Sequence, residues 1–346
     1  MAYTTIKKPS DYFNTKLYTG TGSSLAITGV GFQSDLTWLK RRNGTAYHWL
    51  IDAVRGSTKV IYSNGTEAEQ TQSQGITSFD SDGFTLGTNS DVNGSSDTYA
   101  SWNWLANNTT GASNTDGSIT STVSANTTAG FSICKWTGTG ANATIGHGLS
   151  AVPKMIIAKR LSNTEDWTIY HTSLGATKKI DLNNTGAEST VANIWNNTAP
   201  TSSVFYVGDH NRVNGSGDTY VAYCFADVTG YSKFGSYTGN GNADGSFIYT
   251  GFKPAFINIK RTDSLGQWNM FDIARADVPN ANGNDQVIYS NSSDAELSST
   301  TREIDLLSNG FKCRATGGDI NASGGSYIYM IFAEEPLVGD NPATAR

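Results

Sequence analysis

The residues of this chain that could do chemistry fall into a few small groups. His48, Asp52 and Arg55 lie close together, and a carboxylate beside a histidine and a guanidinium could support acid–base work. Asp80-Ser81-Asp82-Gly83 places two carboxylates two residues apart, the only close pair worth testing for the two-carboxylate hydrolysis of a glycosidic bond. Asp209-His210-Asn211-Arg212 is the most polar cluster at a loop end and could hold a ligand, against the plainer reading of a solvated loop. Each group also has a structural reading. The Asp-x-x-Arg spacing recurs as Asp272-Ile273-Ala274-Arg275, and a unique active site would not be written twice. Asp52, Arg55, Asp272 and Arg275 therefore read as a clasp that pins a loop. Asp80 to Gly83 resembles the start of a calcium loop but lacks the third oxygen position and the distal Glu, whereas Ser-Asp-Gly is an ordinary turn.

His48, His147, His171 and His210 share no metal-ligand spacing, so no metal site is expected. No Gly-x-Ser-x-Gly, P-loop or dinucleotide fingerprint occurs, and no cofactor is implied. Cys134, Cys224 and Cys313 form no CxxC pair and are odd in number, which suits buried free thiols. These absences point to a protein that is not an enzyme.

The elements that must position these residues are strands. Glycine is 37 of 346 residues, proline only 7, and there are 16 Tyr, 14 Phe and 8 Trp, which is β-rich and turn-rich with ample apolar area to bury. The net charge of −6 and the lack of any Lys/Arg run argue against nucleic acid. No apolar run reaches the roughly 18 residues of a membrane span, and the N-terminus carries no signal-peptide core. A soluble chain without its own export signal is expected, so the Asn-x-Ser/Thr sequons are not read as glycosylation sites.

The chain repeats itself. Tyr18-Thr19-Gly20-Thr21-Gly22 recurs as Trp136-Thr137-Gly138-Thr139-Gly140 and Tyr237-Thr238-Gly239-Asn240-Gly241. Leu36 to Arg41 recurs as Met155 to Arg160 and Phe256 to Arg261, each ending in Lys-Arg. Asn93-Gly94-Ser95-Ser96-Asp97-Thr98-Tyr99 recurs at Asn214 to Tyr220, and the third copy closes at Ser326 to Phe332. In the middles, Ile61-Tyr62-Ser63-Asn64 with Ala68-Glu69 matches Ile180 to Asn183 with Ala187-Glu188, then Ile288 to Asn291 with Ala295-Glu296. Where the first and third copies have Asp-x-x-Arg, the second has His171-Thr172-Ser173-Leu174. Asn43-Gly44 is a hairpin signal, and the closing strand alternates with period two, Ala100, Trp102 and Trp104 on one face and Tyr99, Ser101 and Asn103 on the other. About seven short strands per copy predict a sandwich or jelly roll.

The expected fold is all-β: three tandem homologous β-sandwich or jelly-roll-like modules with a short N-terminal arm. The expected boundaries are an arm at 1–16, a first module at 17–106, a linker or insert at 107–130, a second module at 131–227, a third at 228–335 and a loose tail at 336–346. The insert predicts that the second and third modules sit closer together and the first further off. Function is expected where the copies differ: the arm with Tyr3, Tyr12 and Phe13, the insert, and the loops at 44–48, 196–203, 209–212 and 277–285. Tyr47, His48, Asp209, His210 and Arg212 are the candidate ligand or receptor residues. Exposed Tyr, Trp and Asn on a β scaffold suit sugar binding, although the same residue types fill cores.

Tyr12-Phe13-Asn14-Thr15, Gly31 to Arg41, Asp52-Ala53-Val54-Arg55-Gly56 and Phe79 to Gly87 together resemble a module of virion proteins of tailed bacteriophages, particularly marine ones. The resemblance is strongest over residues 1–105 and weakest over the third copy. It implies a non-enzymatic virion structural protein of tail-fibre, receptor-binding or adhesion type, assembled in the host cytoplasm and exposed on the particle. In that reading the arm at Tyr3, Tyr12 and Phe13 docks to other capsid or tail proteins, the chain is a homo-oligomer with a trimer favoured, and a host surface glycan is a candidate ligand. Head decoration is the alternative within that class. A soluble carbohydrate-binding module or depolymerase is the alternative from another class.

Overall fold

The computed structural model describes residues 4–276, 283–339 and 342–343. The fold is all-β, and every strand pairing in its sheets is antiparallel. Three six-stranded sheets dominate it. The first runs Phe13–Thr19, Thr98–Trp104, Leu36–Arg41, Trp49–Asp52, Lys59–Tyr62, Gln70–Thr71. The second runs Ala112–Asn114, Ser121–Asn126, Phe131–Thr137, Thr219–Phe225, Met155–Arg160, Thr168–His171. The third runs Ser232–Thr238, Ser326–Pro336, Phe252–Arg261, Trp268–Asp272, Gln286–Tyr289, Leu297–Ser298. Each is accompanied by a smaller sheet, built on Gly83–Leu86, Ala143–Gly146 and Gly310–Cys313 respectively, and each large sheet with its companion makes up the first, second and third unit in turn.

The three Lys-Arg strands occupy the same register against their closing strands, with Leu36 opposite Trp104, Met155 opposite Phe225 and Phe256 opposite Phe332. Both faces of these strands are covered, which is why they are apolar almost throughout. One face packs on the smaller sheet: Leu39, Trp49 and Ile51 meet Ile76, Phe84 and Leu86 in the first unit. The other face turns to the middle of the molecule. There Trp38, Trp102 and Trp104 join Ile157, Tyr223 and Phe225 from the second unit and Phe256, Met330 and Phe332 from the third in one shared core. Each unit also keeps its own satellite core.

The repeated opening and closing motifs are two sides of one seam. The side-chain oxygens of Asn93, Asn214 and Asn321 accept from the backbone N–H of Thr21, Thr139 and Asn240 at 2.8, 2.9 and 2.9 Å. The hydroxyls of Tyr99, Tyr220 and Tyr327 donate to Ser90, Asn211 and Gly318 carbonyls and accept from the N–H of Gly94, Gly215 and Ala322, clamping a one-turn helix in each unit. A Cβ on Gly20, Gly138 or Gly239 would lie 2.2, 2.3 or 2.4 Å from the facing carbonyl oxygen. Close backbone approach therefore requires glycine at each of these positions.

Three expectations are corrected. Residues 107–130 are not a linker: Ala112–Asn114 and Ser121–Asn126 extend the second sheet beyond Phe131–Thr137, and Ile119 bridges to Ile145. The first unit is not set apart, because Trp38, Trp102 and Trp104 are part of the shared core. Nor is the N-terminal segment a projecting arm. Ile6 and Phe13 are buried, and Phe13 begins a strand paired with the whole of Thr98–Trp104, so the expected boundary at residue 16 falls inside a strand.

Candidate binding cleft

The predicted clasps are buried and built alike. Asp52 accepts from the Arg55 backbone N–H at 2.9 Å and from its Nε at 2.5 Å, while Arg55 Nη2 donates to the Leu50 carbonyl at 2.8 Å. Asp272 and Arg275 repeat this at 3.0 and 2.5 Å, with Nη2 donating to Met270. Neither clasp stays within its unit. Tyr223 of the second unit donates its hydroxyl to Asp52 at 2.8 Å, and Trp102 of the first donates its indole N–H to Asp272 at 2.9 Å. His171 takes the corresponding place in the second unit. Its Nδ1 accepts from Ser173 N–H, and its Nε2 lies 3.3 Å from the Tyr329 carbonyl of the third. Burial holds His171 down to about 4. The sequence showed the missing Asp-x-x-Arg pair but not that a histidine had taken over the same junction.

A second set escaped the sequence reading. Lys40, Lys159 and Lys260 are buried, and the hydrogen bonds of their ammonium groups go to backbone carbonyls. One carbonyl in each set belongs to a neighbouring unit: Ser293, Thr66 and Thr185 respectively. Burial pushes all three lysines down to about 8. The recurring Lys-Arg strand end was the available signal, although it reads as two solvated cations.

The docking and ligand residues are scattered. Tyr3 lies outside the described residues, as does most of 277–285. Phe13 is 2% exposed and stacks on Phe332 in the shared core, so it is not available to another protein. Tyr12 is half-buried edge-on against Tyr231. His48 is likewise fully buried and presents nothing to a receptor. Its Nδ1 accepts from Trp38 Nε1 at 2.9 Å, and burial, with Lys40 nearby, keeps it well below the usual histidine range. His48 stands where the other units place Trp167 and Trp268, as the shared bond from each backbone N–H to Asn64, Asn183 and Asn291 shows.

The remaining candidates have local duties. His210 caps the helix Asn211–Asn214 by accepting from Arg212 N–H, and Asp209 accepts from Asn193. Arg212 bonds Asp166 at 2.5 Å and Asp181 at 2.8 Å, with Glu165 at 3.4 Å. Asp82 accepts from the N–H groups of Gly29 and Gly31, and Asp80 from the hydroxyls of Ser78 and Thr85, so both carboxylates anchor turns. All three cysteines are free and buried. Among the described residues no three His, Cys, Asp or Glu side chains group as metal ligands, and no helix is long and apolar enough to cross a membrane.

One open cleft, of about 590 Å³, lies between the first and third units. Thr45, Ala46, Tyr47, Asn64 and Asp91 line one side, and Asn291, Ser292 and Ser293 the other. Tyr47 is 41% exposed. One face of its ring stacks on Tyr62 with centroids 4.6 Å apart, and its hydroxyl donates to Glu67. Of the residues singled out from sequence as ligand or receptor candidates, Tyr47 is the one that lines this cleft.

Fold and cleft together define a class: an all-β body of three six-stranded antiparallel sheets with their smaller companions, and a polar, aromatic-bearing cleft where the first and third meet. The chain belongs to the family described as a domain of unknown function, DUF7483, which it matches over residues 8–336. No curated protein matches it.

Proposed function

We propose that this chain is a non-enzymatic structural protein of a bacteriophage particle, of tail-fibre, receptor-binding or adhesion type. The virion assignment rests on the resemblance of residues 1–105 to virion proteins of tailed phages. The observation that best supports a structural role is the use made of the charged residues: the Asp–Arg clasps and buried lysines fasten units together instead of converging on a cavity. The carboxylate pair a depolymerase would need is held in turns, which favours the non-enzymatic reading. The partners in this proposal are other capsid or tail proteins and a host surface glycan. Any homo-oligomer, a trimer included, would join through outer loops, since each unit's inner face is already covered within one chain.

Head decoration is the second reading, and one observation favours it. The described part of the segment expected to anchor a fibre, including Ile6 and Phe13, is packed into the chain's own core, which leaves a surface as the means of attachment. Mass spectrometry of purified particles tests the assignment: the chain is expected among the virion proteins, and its absence overturns the proposal. Cryo-electron microscopy of the same particles separates the two readings, because decoration follows capsid symmetry.

A further inference from the structure

The three unit junctions carry the same loops, and at two of them local bonds meet the polar groups that the third leaves to solvent. At the junction of the second unit with the first, Asp166 and Glu165 occupy the places of Tyr47 and Ala46, and Arg212 takes the place of Asp91. Arg212 is bonded to both acids and to Asp181, and Asn183 donates to Asp166 at 2.8 Å, so every charge is met locally. At the junction of the third unit with the second, Gln267 stands for Tyr47 and Asp319 for Asp91. Asp319 accepts from Gln267 N–H and from Arg302, and Asn291 donates its amide to Gln267.

At the first unit the same positions face solvent. No hydrogen bond from another of the described residues reaches the Asp91 carboxylate, the Asn64 Nδ2 or the Thr45 hydroxyl. Asn64 Oδ1 is fixed by the His48 N–H at 2.8 Å, which sets the orientation of its amide. Tyr47 is braced behind by Tyr62 and held at its hydroxyl by Glu67, leaving one ring face to solvent. A rigid aromatic face, an amide donor, a carboxylate acceptor and a hydroxyl on one cleft rim match the needs of a pyranose ring, whose C–H face stacks while its hydroxyls both donate and accept.

We propose that this cleft binds one neutral pyranose unit of a saccharide, with Tyr47 as the stacking platform and Asn64 and Asp91 as the hydroxyl-binding pair. Asp91, with Glu67 at the Tyr47 hydroxyl, sets the charge preference: an acidic sugar meets negative charge on this rim and is rejected. This deepens the adhesive reading proposed above but does not depend on where the protein sits. Loss of sugar binding would leave a virion assignment standing, and absence from particles would leave the site standing.

The test is saturation-transfer NMR on the full chain with the methyl pyranosides of glucose, galactose, mannose and N-acetylglucosamine, and with galacturonic acid. Binding of at least one neutral glycoside in the millimolar range or tighter is expected, weakened about tenfold in Tyr47→Ala, a loss of about 1.4 kcal/mol with the aromatic platform. Tyr47→Phe keeps the ring and retains binding, while Asp91→Asn weakens it. Tyr47 is exposed, so unchanged melting of Tyr47→Ala separates lost binding from lost fold. Silence from every neutral glycoside, equal binding by Tyr47→Ala, loss in Tyr47→Phe, or preference for galacturonic acid overturns the site.

Discussion

A single position, filled by Asp52, His171 and Asp272 in turn, shows how far residue chemistry could be read in advance. The two aspartates were legible because each carries its arginine three residues later. The histidine was not, because it keeps only part of the job: it accepts from the backbone N–H of Ser173, as the aspartates accept from their arginines' N–H, and has no guanidinium to hold. What it adds is a titration. Its folded-state value of about 4 lies below the ordinary 6.5, so between those values the unfolded chain binds more protons and stability falls as pH falls. His48 and His147 shift in the same direction, whereas buried Asp35, raised to about 6, opposes them by favouring the folded state on acidification. Chemical denaturation of His171→Asn, which retains an acceptor for Ser173, isolates this group. Relative to its own stability near pH 7, the variant is expected to lose up to about 2 kcal/mol less than the parent on going to about pH 5. Equal losses would show that His171 does not titrate in this range.

Among the elements, the buried strands were legible and the polar ones were not. Leu36–Arg41 and Thr98–Trp104 announce themselves by apolar content and alternation, with glycine turns at their ends. Ala112–Asn114 and Ser121–Asn126 have few apolar side chains, and they join their sheet through backbone pairing that leaves little trace in composition. The Thr-Gly-Thr-Gly openings could be recognised as turns, but their partner across the seam could not, since contact between Gly20 and Gly94 depends on the register of a whole strand pair. Gly20→Ala tests the seam. The added methyl group would meet the Gly94 carbonyl oxygen at 2.2 Å, with Asn93 and Tyr99 also close, so the backbone must move and the Asn93 and Tyr99 bonds lengthen. A loss of about 1–3 kcal/mol is expected by urea unfolding, the usual range for overpacking. A loss within a few tenths of a kcal/mol would mean that the seam yields without cost.

For the whole molecule, the units are joined in a closed cycle. The first unit's clasp holds the second through Tyr223, the second's histidine holds the third through Tyr329, and the third's clasp holds the first through Trp102. The lysines run around the same cycle in the opposite sense, so every junction carries one bond of each kind. None of this was legible as assembly, because the Trp102 and Trp104 face of the closing strand could equally have packed inside a separate sandwich. Sharing a core has a thermodynamic consequence: opening one unit exposes apolar surface on the other two. Despite its length and its three satellite cores, the chain is therefore expected to unfold in one calorimetric transition, with van't Hoff and calorimetric enthalpies in agreement. Asp272→Ala sharpens the test. It removes one of the two carboxylates on the buried Arg275 guanidinium, which keeps Glu296 at 2.8 Å, and leaves the Trp102 indole N–H without its acceptor at the junction of the third and first units, at a cost of about 1–3 kcal/mol for a buried donor left unpaired. If the cycle is one cooperative body, that loss lowers the single transition intact. If the units are separable, it releases the third as an earlier peak while the rest melts where it did before, and the closed-cycle account fails.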